Sequence, residues 1–499
     1  DGLGWRRTTM TGLSGQADRS RSSPARIAIL GAGVSGLAAA FRLQELARNS
    51  QRSLTVDLYE ASPRPGGLVC TREIEGYRLE LGPDSFITNK PGAVSLCRRL
   101  GMEDQLVPTD ERFRRSLVLF RGRPVAVPED FQLLAPSALW PVWKSPLFSP
   151  WGKLRIALEL FIPKTRHPES DESLASFVRR RLGQEALDRL VQPLVGGIYT
   201  SDPEKLSVRA TLQRFQEMEQ QSGSLIKALA KAATTRAPGH APATGARYGL
   251  FATPRLGVGQ LVEVLATQVE REARIHRGVG VTQLRRLPQG FELETTAGTQ
   301  AQHDAVILAV PAHRAAELLR REQPAAASEL AQIEYASTAI VVTGHRLSDV
   351  THPLDAFGLV IPAKERRKIL AVSFTSRKFA LRAPEGSVQL RTFVGGAMQP
   401  ELMERSDEAL LAMVRDELTD LLGIRWQPEV THIARWNRSM PQYHVGHMER
   451  AARIEAALAN EPHLALAGNA LHGVGLPDTI SSGEAAAKKV WEGGFPQGA

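Results

Sequence analysis

Six residues near the N-terminus, Gly31-Ala32-Gly33-Val34-Ser35-Gly36, place three glycines in a GxGxxG arrangement. The apolar run before them, 27–30, has the character of a short strand, and the run after them, 37–43, that of a helix. Glycines in such a turn let the backbone approach a pyrophosphate, which the helix N-terminus stabilises. The sequence therefore predicts a dinucleotide site here; the alternative is an incidental glycine-rich turn.

A second predicted strand, 54–59, leads directly to Glu60, an acid placed to accept the hydroxyl groups of a ribose. Strand, glycine turn, helix, second strand and acid follow in the order typical of a dinucleotide-binding unit. Two more glycine-rich loops follow, at 61–68 and 82–86. Since both suit close backbone approach to a ligand, we expect a ligand longer than a mononucleotide.

Length and composition narrow the class of protein. A chain of 499 residues exceeds what one hydrophobic core supports, so two or three closely packed domains are expected. The hydrophobic content of 42% and the charged content of 23% are those of a soluble globular protein. A net charge of +9 suits an acidic small ligand, an anionic lipid or simply a basic surface. No nucleic-acid signature accompanies the charge, so we expect no nucleic-acid partner.

Targeting and metal signals are sparse. Cys70 and Cys97 lack metal-ligand spacing, so no metal site is predicted and a reducing, cytosolic compartment fits best. No apolar run reaches the length of a membrane span, and no secretory signal is recognisable. Residues 1–24, rich in Arg, Ser, Thr and Gly, are predicted to be a disordered extension; a transit peptide and a mis-assigned start remain open.

Two kinds of signal alternate along the chain. Nucleotide-binding signals occupy 25–90, 249–312 and 446–499, whereas 91–248 is predicted to be mainly helical and 313–445 mixes helix and strand signals. We therefore expect an α/β fold with one Rossmann-like domain assembled from three discontinuous segments. An α+β substrate domain and a helical subdomain would be inserted between those segments.

The proline-rich stretch from Pro124 to Pro163 is unusually aromatic and cationic. Its aromatic residues are Trp140, Trp143, Phe148 and Trp151, and the neighbouring cations are Lys144, Lys153, Arg155 and Lys164. One interpretation is that residues 131–163 rest peripherally on a membrane, because such side chains prefer the headgroup zone. The other is an internal or dimer interface.

The C-terminal helix signal, 477–491, begins after Gly473-Val474-Gly475-Leu476. The positive end of such a helix can stabilise negative charge on a reduced isoalloxazine ring. This arrangement favours a flavin over a nicotinamide.

Taken together, these residues resemble the flavin monoamine-oxidase-like superfamily, and within it the bacterial and plant porphyrinogen oxidases. The resemblance extends from about Arg26 to Trp491. Its most specific segments are 60–67, 82–86, 195–199, 202–207 and 436–447. Monoamine oxidases and carotenoid desaturases share the first glycine-rich turn but are not expected to carry the later segments as a set.

The resemblance implies FAD as the cofactor and assigns its contacts to matching positions. The implied contacts are Gly31, Gly33, Ser35 and Gly36 at the pyrophosphate, Glu60 and Ala61 at the ribose, Val281 at the adenine, and Leu68, Gly82, Pro83, Asp84, Ser85, Trp436, Val474, Gly475 and Leu476 toward the flavin. Val281 and Trp436 could equally be packed core residues, and Gly82 and Gly475 ordinary turn glycines.

The implied reaction is the six-electron oxidation of a porphyrinogen in heme biosynthesis, in three passes through FAD with O2 reduced to H2O2. Coproporphyrinogen III and protoporphyrinogen IX both remain open as the substrate. This chemistry needs little from side chains, and no catalytic residue is predicted, although His444, His447 and His472 are candidate bases. A flavin amine oxidase, a carotenoid desaturase-like enzyme and a non-catalytic escort protein are the alternatives.

The resemblance also implies a substrate slot. Val360 and Phe374 would flank the tetrapyrrole, and Gly197 would line its pocket. Ser116 stands where plant and animal relatives place a propionate-binding arginine, so the anchor is either Arg115 or absent. A homodimer, and transfer of the product to other heme-pathway enzymes, are further expectations.

Overall fold

A computed structural model of the chain describes residues 24–167, 169–234 and 251–494. The predicted disordered extension, 1–24, lies outside these residues except for its last one. In chain order the strands are β1 Ala25–Leu30, β2 Leu54–Glu60, β3 Thr71–Ile74, β4 Tyr77–Glu80, β5 Phe86–Ile87, β6 Leu106–Pro108, β7 Leu117–Phe120, β8 Arg123–Ala126, β9 Phe131–Gln132, β10 Ala135–Pro136, β11 Phe251–Pro254, β12 Ala273–Arg277, β13 Val281–Arg286, β14 Phe291–Thr295, β15 Gln300–His303, β16 Ala305–Leu308, β17 Tyr335–Arg346, β18 Gly358–Val360, β19 Ala371–Phe374, β20 Ser387–Gly395, β21 Val430–Pro441 and β22 Leu464–Leu466.

Helices occupy most of the chain between these strands. They are α1 Val34–Ser50, α2 Pro91–Arg99, α3 Trp140–Lys144, α4 Pro150–Ala157, α5 Leu174–Arg181, α6 Gln184–Ala186, α7 Gln192–Tyr199, α8 Val208–Thr211, α9 Gln213–Ser222, α10 Leu225–Thr234, α11 Val258–Val269, α12 Ala312–Leu319, α13 Pro324–Ala331, α14 Thr375–Lys378, α15 Asp407–Leu422, α16 His447–Ala457 and α17 Leu476–Glu492. A 3-10 turn, Leu158–Phe161, continues α4, and a π-helical segment, Leu187–Val191, leads into α7. Within the described residues, we find no helix long and apolar enough to cross a membrane.

A five-stranded parallel sheet in the order β12-β2-β1-β16-β22 forms the first layer. Ile27 and Ile29 pack beneath α1, α11 and α17 on one face, while Ala28 and Leu30 pack toward β13–β15 and α12 on the other. Because both faces are covered, β16, β22 and the 27–30 stretch of β1 are continuous apolar runs without alternation. The predicted α/β class with a Rossmann-like sheet is confirmed, and its strands come from three separated stretches of the chain.

A second sheet of seven strands has the order β21-β17-β20-β19-β18-β7-β8. Its β7 and β8 come from within residues 91–248, the segment predicted to be mainly helical. The edge position of β8 accommodates Pro124, which has no backbone N–H to donate. One face of this sheet packs on α15, and the other packs on the β3–β4 hairpin and the helices α5–α10.

Helices α1 and α17 lie against each other at glycine contacts. A Cβ atom added to Gly483 would lie 2.1 Å from the Ser35 carbonyl oxygen, and one added to Gly36 would lie 1.9 Å from that of Gly31. No side chain can occupy either position without moving backbone, so these glycines set how closely the C-terminal helix approaches the first turn.

We expect Gly483→Val to destabilise the fold by about 1–3 kcal/mol or more, because the new side chain forces α17 away from α1. Thermal unfolding measures the effect, with Lys488→Ala on an exposed face of the same helix as the control. A melting temperature equal to that of the control would contradict the packing described here.

Candidate active site

The turn between β1 and α1 forms an open cradle. Gly31 has a φ of 100°, and its N–H donates to the Tyr59 carbonyl at 2.8 Å. The N–H of Gly66 donates to the Ala32 carbonyl at 2.7 Å and brings the second glycine-rich loop alongside. A Cβ atom added to Gly33 would meet nothing within 4 Å, and no described side chain caps α1. Open space before uncapped N–H groups fits a pyrophosphate.

Glu60 is held at the end of β2 beside this cradle. One carboxylate oxygen accepts the Ala32 N–H at 2.8 Å, and the other accepts the N–H and hydroxyl of Ser62 at 2.9 and 2.8 Å. A carboxylate has about four lone-pair sites, so these three bonds leave room for a ribose hydroxyl. The position of Glu60 therefore fits the adenosine half of FAD.

The residues predicted for the adenine side lie next to Glu60. The N–H of Gly278 donates to the Ser62 carbonyl at 3.0 Å, and that of Val279 to the Glu60 carbonyl at 2.9 Å. A Cβ atom on Gly280 would be 3.3 Å from the Cβ of Ala61. These contacts bring Val281, which is buried at the start of β13, close to Glu60 and Ala61. Nothing in the sequence around Val281 distinguishes an adenine contact from an ordinary core residue.

Two loops meet on the predicted flavin side. A Cβ atom added to Gly82 would lie 1.8 Å from the Leu68 carbonyl oxygen, so the 61–68 and 82–86 loops touch through their backbones. The indole N–H of Trp436 on β21 donates to the Leu81 carbonyl at 2.6 Å. The structure therefore brings together Leu68, Gly82 to Ser85 and Trp436, the residues assigned to the flavin side by the resemblance.

Asp84 anchors this surface to the second sheet. Its carboxylate lies 3.0 Å from the Lys378 ammonium and 3.1 Å from the Arg391 guanidinium, and it accepts the Ser85 hydroxyl at 2.7 Å. Burial alone would raise the pKa of Asp84, but the two cations outweigh it and hold that pKa well below its usual range. Sequence reasoning missed Lys378 and Arg391, because a partner 294 residues away leaves no local signal.

The turn before α17 supplies the last predicted contacts. Gly473 has a φ of 82° and reverses the chain, and Gly475 directly precedes a helix of 17 residues. No described side chain caps the first turn of α17, so its N–H groups and positive dipole end are available to an anionic ring edge. Val474 is partly buried against the helices, and Leu476 is buried below the turn.

Gly197 of α7 lies next to Val360 of β18. The nearest atom to a Cβ added to Gly197 would be Cγ1 of Val360 at 3.9 Å. Val360 and Val474 both pack, partly exposed, against one large cluster of mainly helical side chains. The structure therefore brings Gly197 and Val360 together at the surface of this cluster.

The prediction for Phe374 is wrong. Val360 pairs with Ala371 in the register of β18 and β19, so Ala371 shares its face. Phe374 is three residues further along β19 and points to the opposite face, where it is fully buried against the α15 layer. Phe374 cannot flank a ligand held by Val360.

The arginines before β7 also differ from expectation. The Arg115 guanidinium donates to the Asp355 carbonyl at 2.8 Å, forms an ion pair with the Asp355 carboxylate, and is half exposed. Arg114 is the centre of an inverse γ-turn, with φ −70° and ψ 58° and the Arg115 N–H donating to the Phe113 carbonyl. In an extended segment the two side chains would point to opposite faces, but the γ-turn breaks this alternation. The alternation therefore does not decide which of the two arginines anchors a propionate. Arg114, whose side chain is 17% exposed, is the more enclosed cation.

The three candidate bases all have structural partners. His472 lies 2.6 Å from the Glu455 carboxylate, and His444 lies 3.9 Å from Glu334. His447 is buried, which lowers its pKa to about 4, and its Nε2 lies 3.0 Å from the Leu471 carbonyl oxygen. Of the three, only His447 makes a buried hydrogen bond that holds the fold; His444 and His472 face exposed carboxylates.

Comparisons with known proteins agree with this geometry. A family model described as flavin-containing amine oxidoreductase matches residues 34–491. The chain is 35% identical over 462 residues to the coproporphyrinogen III oxidase of Bacillus subtilis, covering 92% of this chain and 96% of that protein. It is 29% identical to the chloroplastic protoporphyrinogen oxidase of Nicotiana tabacum, covering 93% and 84% of the two chains. A solved structure from Exiguobacterium sp. 255-15, provisionally named a protoporphyrinogen oxidase, matches with a TM-score of 0.83 and 29% identity, covering 94% of this chain and 99% of that one.

We expect Gly33→Val to fold normally and to lose FAD. Its side chain would project into open space in the free protein but would occupy the pyrophosphate position. Flavin content after desalting and the melting temperature of the FAD-free protein measure the two effects separately. Gly33→Ala, with its smaller side chain, should retain more FAD. Full flavin content in Gly33→Val would contradict the location of the cradle.

Proposed function

Because the chain belongs to the flavin-containing amine oxidoreductase family, we propose that it is a porphyrinogen oxidase of heme biosynthesis, which converts coproporphyrinogen III to coproporphyrin III. The chain is a flavoprotein oxidoreductase with FAD as its cofactor, as the sequence resemblance predicted. The near full-length identity of 35% to a coproporphyrinogen III oxidase carries the proposal. Protoporphyrinogen IX, the substrate named for the 29% identical plant relative, is the second candidate.

Different elements of this chain bind the cofactor and stabilise its charge in the proposed site. When bound, FAD supplies two-electron oxidation and passes the electrons to O2. The Gly31 to Gly36 turn and Glu60 hold the dinucleotide, and the uncapped N-terminus of α17 stabilises negative charge near Val474 to Leu476. Hydride removal from a porphyrinogen needs no side-chain base, because the pyrrole N–H can release the accompanying proton.

We propose that Gly197, Val360 and Val474 line a slot for a flat apolar macrocycle. Gly197 is exposed and the two valines are partly exposed, so the macrocycle would displace water from them. The propionates need cations, and Arg115, just before β7, remains the proposed anchor, with the more enclosed Arg114 as a second candidate that the structure adds.

The proposed domains follow from this arrangement. Residues 25–90, 249–312 and 446–499 would form the FAD-binding domain, and 313–445 the substrate domain. The remaining segment, 91–248, would form the helical subdomain, although its β7 and β8 complete the sheet of the substrate domain.

We expect aerobic turnover of coproporphyrinogen III to release about three H2O2 per porphyrin, since six electrons leave in pairs. H2O2 and porphyrin are quantified in the same reaction. Gly197→Leu is the matched control, because it fills the slot next to Val360 and should abolish turnover while the FAD content stays unchanged.

A ratio near one, or faster oxidation of amines or carotenoids than of either porphyrinogen, would contradict the proposal in favour of an amine oxidase or a desaturase. Faster oxidation of protoporphyrinogen IX would reassign the substrate and leave the reaction class intact.

We further propose that the protein is cytoplasmic and rests on the inner face of the cell membrane through an aromatic face. This face consists of large, exposed apolar side chains on α3, α4 and the 3-10 turn that follows α4: Trp140, Trp143, Trp151, Leu154, Leu158 and Phe161. Trp151 and Phe161 are 79% and 81% exposed. Phe148, expected to join them, is buried. An apolar group of this size marks an interaction surface.

The composition of the aromatic face favours an anionic bilayer over a protein partner. The residues at 151, 154, 158 and 161 have helical spacing and share one side. Lys144 lies 4.9 Å from the Trp140 ring centroid, and Lys153 donates to the Trp143 carbonyl at 2.8 Å, so cations border the aromatics. Beneath them, buried Glu159 accepts the Arg181 guanidinium and the Leu225 N–H, which holds the turn rigidly. A product released here would remain near membrane-held enzymes of the same pathway.

We expect the protein to sediment with phosphatidylcholine vesicles that contain phosphatidylglycerol, and Trp151→Ser with Phe161→Ser to weaken binding at least tenfold. Each ring buries about 150–250 Å² at roughly 25 cal/mol per Å². The double variant Leu256→Ser with Leu381→Ser, exposed elsewhere, is the control. Membrane binding would be contradicted if the wild-type protein does not bind vesicles but forms a dimer. If Trp151→Ser with Phe161→Ser then disrupts that dimer, the aromatic face is a dimer interface.

A further inference from the structure

We infer that Tyr443 and His447 are positioning residues that fix the turn 469–476, and with it the N-terminus of α17, relative to the flavin. The inference rests on the proposed flavin position beside Val474 to Leu476. It extends the proposed function to two side chains for which the reaction itself has no use.

The two side chains form one unit. Their rings stack with centroids 3.9 Å apart and planes 14° from parallel, and both residues are buried. The Tyr443 hydroxyl donates to the Asn469 carbonyl at 2.6 Å, and Nε2–H of His447 donates to the Leu471 carbonyl at 3.0 Å. A carbonyl can only accept, so it fixes the Nε2–H form of the imidazole. Burial lowers the pKa of His447 to about 4, which keeps the ring neutral at working pH.

Both hydrogen bonds hold the turn that leads to the flavin contacts. Asn469 and Leu471 lie three and five residues after the end of β22, and the chain then reverses at Gly473, where φ is 82°. The carboxylate of Asp478 lies against Gly473, since a Cβ atom there would be 2.5 Å from its Oδ2. Lys90 neutralises that carboxylate at 2.8 Å, so Asp478 does not cancel the positive helix end. The stacked pair Tyr443 and His447, which we call the clamp, therefore sets the direction of the α17 N-terminus.

Residues 442–447 are also connected to the proposed slot. The Ser207 N–H donates to the Tyr443 carbonyl at 2.8 Å, and the Gln442 amide donates to the Tyr199 carbonyl at 3.3 Å, at the end of α7. Since α7 carries Gly197, residues 442–447 connect the flavin turn with the slot wall. The Tyr443 and His447 side chains thus hold the turn at one end of a segment whose Gln442 and Tyr443 backbone contact the slot wall.

Three variants of the FAD-loaded enzyme test this role. Tyr443→Phe and His447→Phe keep the ring stack but each loses its donor, whereas His447→Gln restores a donor near the Nε2 position. Sulfite affinity, titrated by loss of flavin absorbance, and the flavin midpoint potential report how well the site stabilises negative charge on the ring. Tyr77→Phe, which removes a buried tyrosine's hydroxyl bond to Glu429, is the matched control.

We expect Tyr443→Phe and His447→Phe to retain FAD, to bind sulfite about tenfold more weakly, and to have a midpoint potential lower by about 30 mV, the two-electron equivalent of that factor. His447→Gln and Tyr77→Phe should stay within threefold of wild type. Wild-type sulfite affinity and potential in both phenylalanine variants would overturn the inference, as would an equal loss in His447→Gln and His447→Phe. A wild-type enzyme that fails to oxidise porphyrinogens but shows this pattern would refute the proposed function and leave the clamp in place.

Discussion

The structure depends on backbone atoms that approach each other where no side chain intervenes. Gly31 lies against the Ala309 carbonyl, Gly36 against Gly31, Gly483 against Ser35 and Gly82 against Leu68. Two of these contacts, Gly31 with Ala309 and Gly483 with Ser35, join stretches that are hundreds of residues apart in the chain, and all four lie around the proposed dinucleotide pocket. Because hydrogen-bonding groups of the backbone border that pocket, an anionic dinucleotide can bind without a dedicated set of cationic side chains.

Charge then couples the dinucleotide layer to the second sheet. Asp84 is the junction: its carboxylate is bound by Lys378 of α14 and Arg391 of β20, and the loop that carries it touches the loop of Leu68. Removal of a single member of such a buried group leaves an uncompensated charge, which typically costs about 3–5 kcal/mol. Asp84 therefore holds one edge of the proposed flavin surface, and the turn before α17 holds the other.

Local patterns predicted the parts of the site that are contiguous in the chain. The Gly31 to Gly36 turn, Glu60 and the start of the C-terminal helix near Leu476 each carry a short-range signal of glycine spacing or strand and helix order. Phe374, which was placed by the family resemblance, illustrates what a sequence match misses, since a strand residue's face depends on register, and one step along the strand reverses it. Arg114 illustrates a second limit, because a γ-turn breaks the alternation that an extended segment would have. The partners Lys378 and Arg391 are set only by the tertiary fold.

The central claim is that a porphyrinogen delivers its electrons to FAD in the slot between Gly197 and Val360. Rapid anaerobic mixing of the purified, FAD-loaded protein with coproporphyrinogen III tests it directly, because loss of flavin absorbance then reports electron transfer without any contribution from O2. We expect complete flavin bleaching by the porphyrinogen and none by a diamine such as putrescine. Bleaching by the diamine, with the flavin left oxidised by the porphyrinogen, would contradict it.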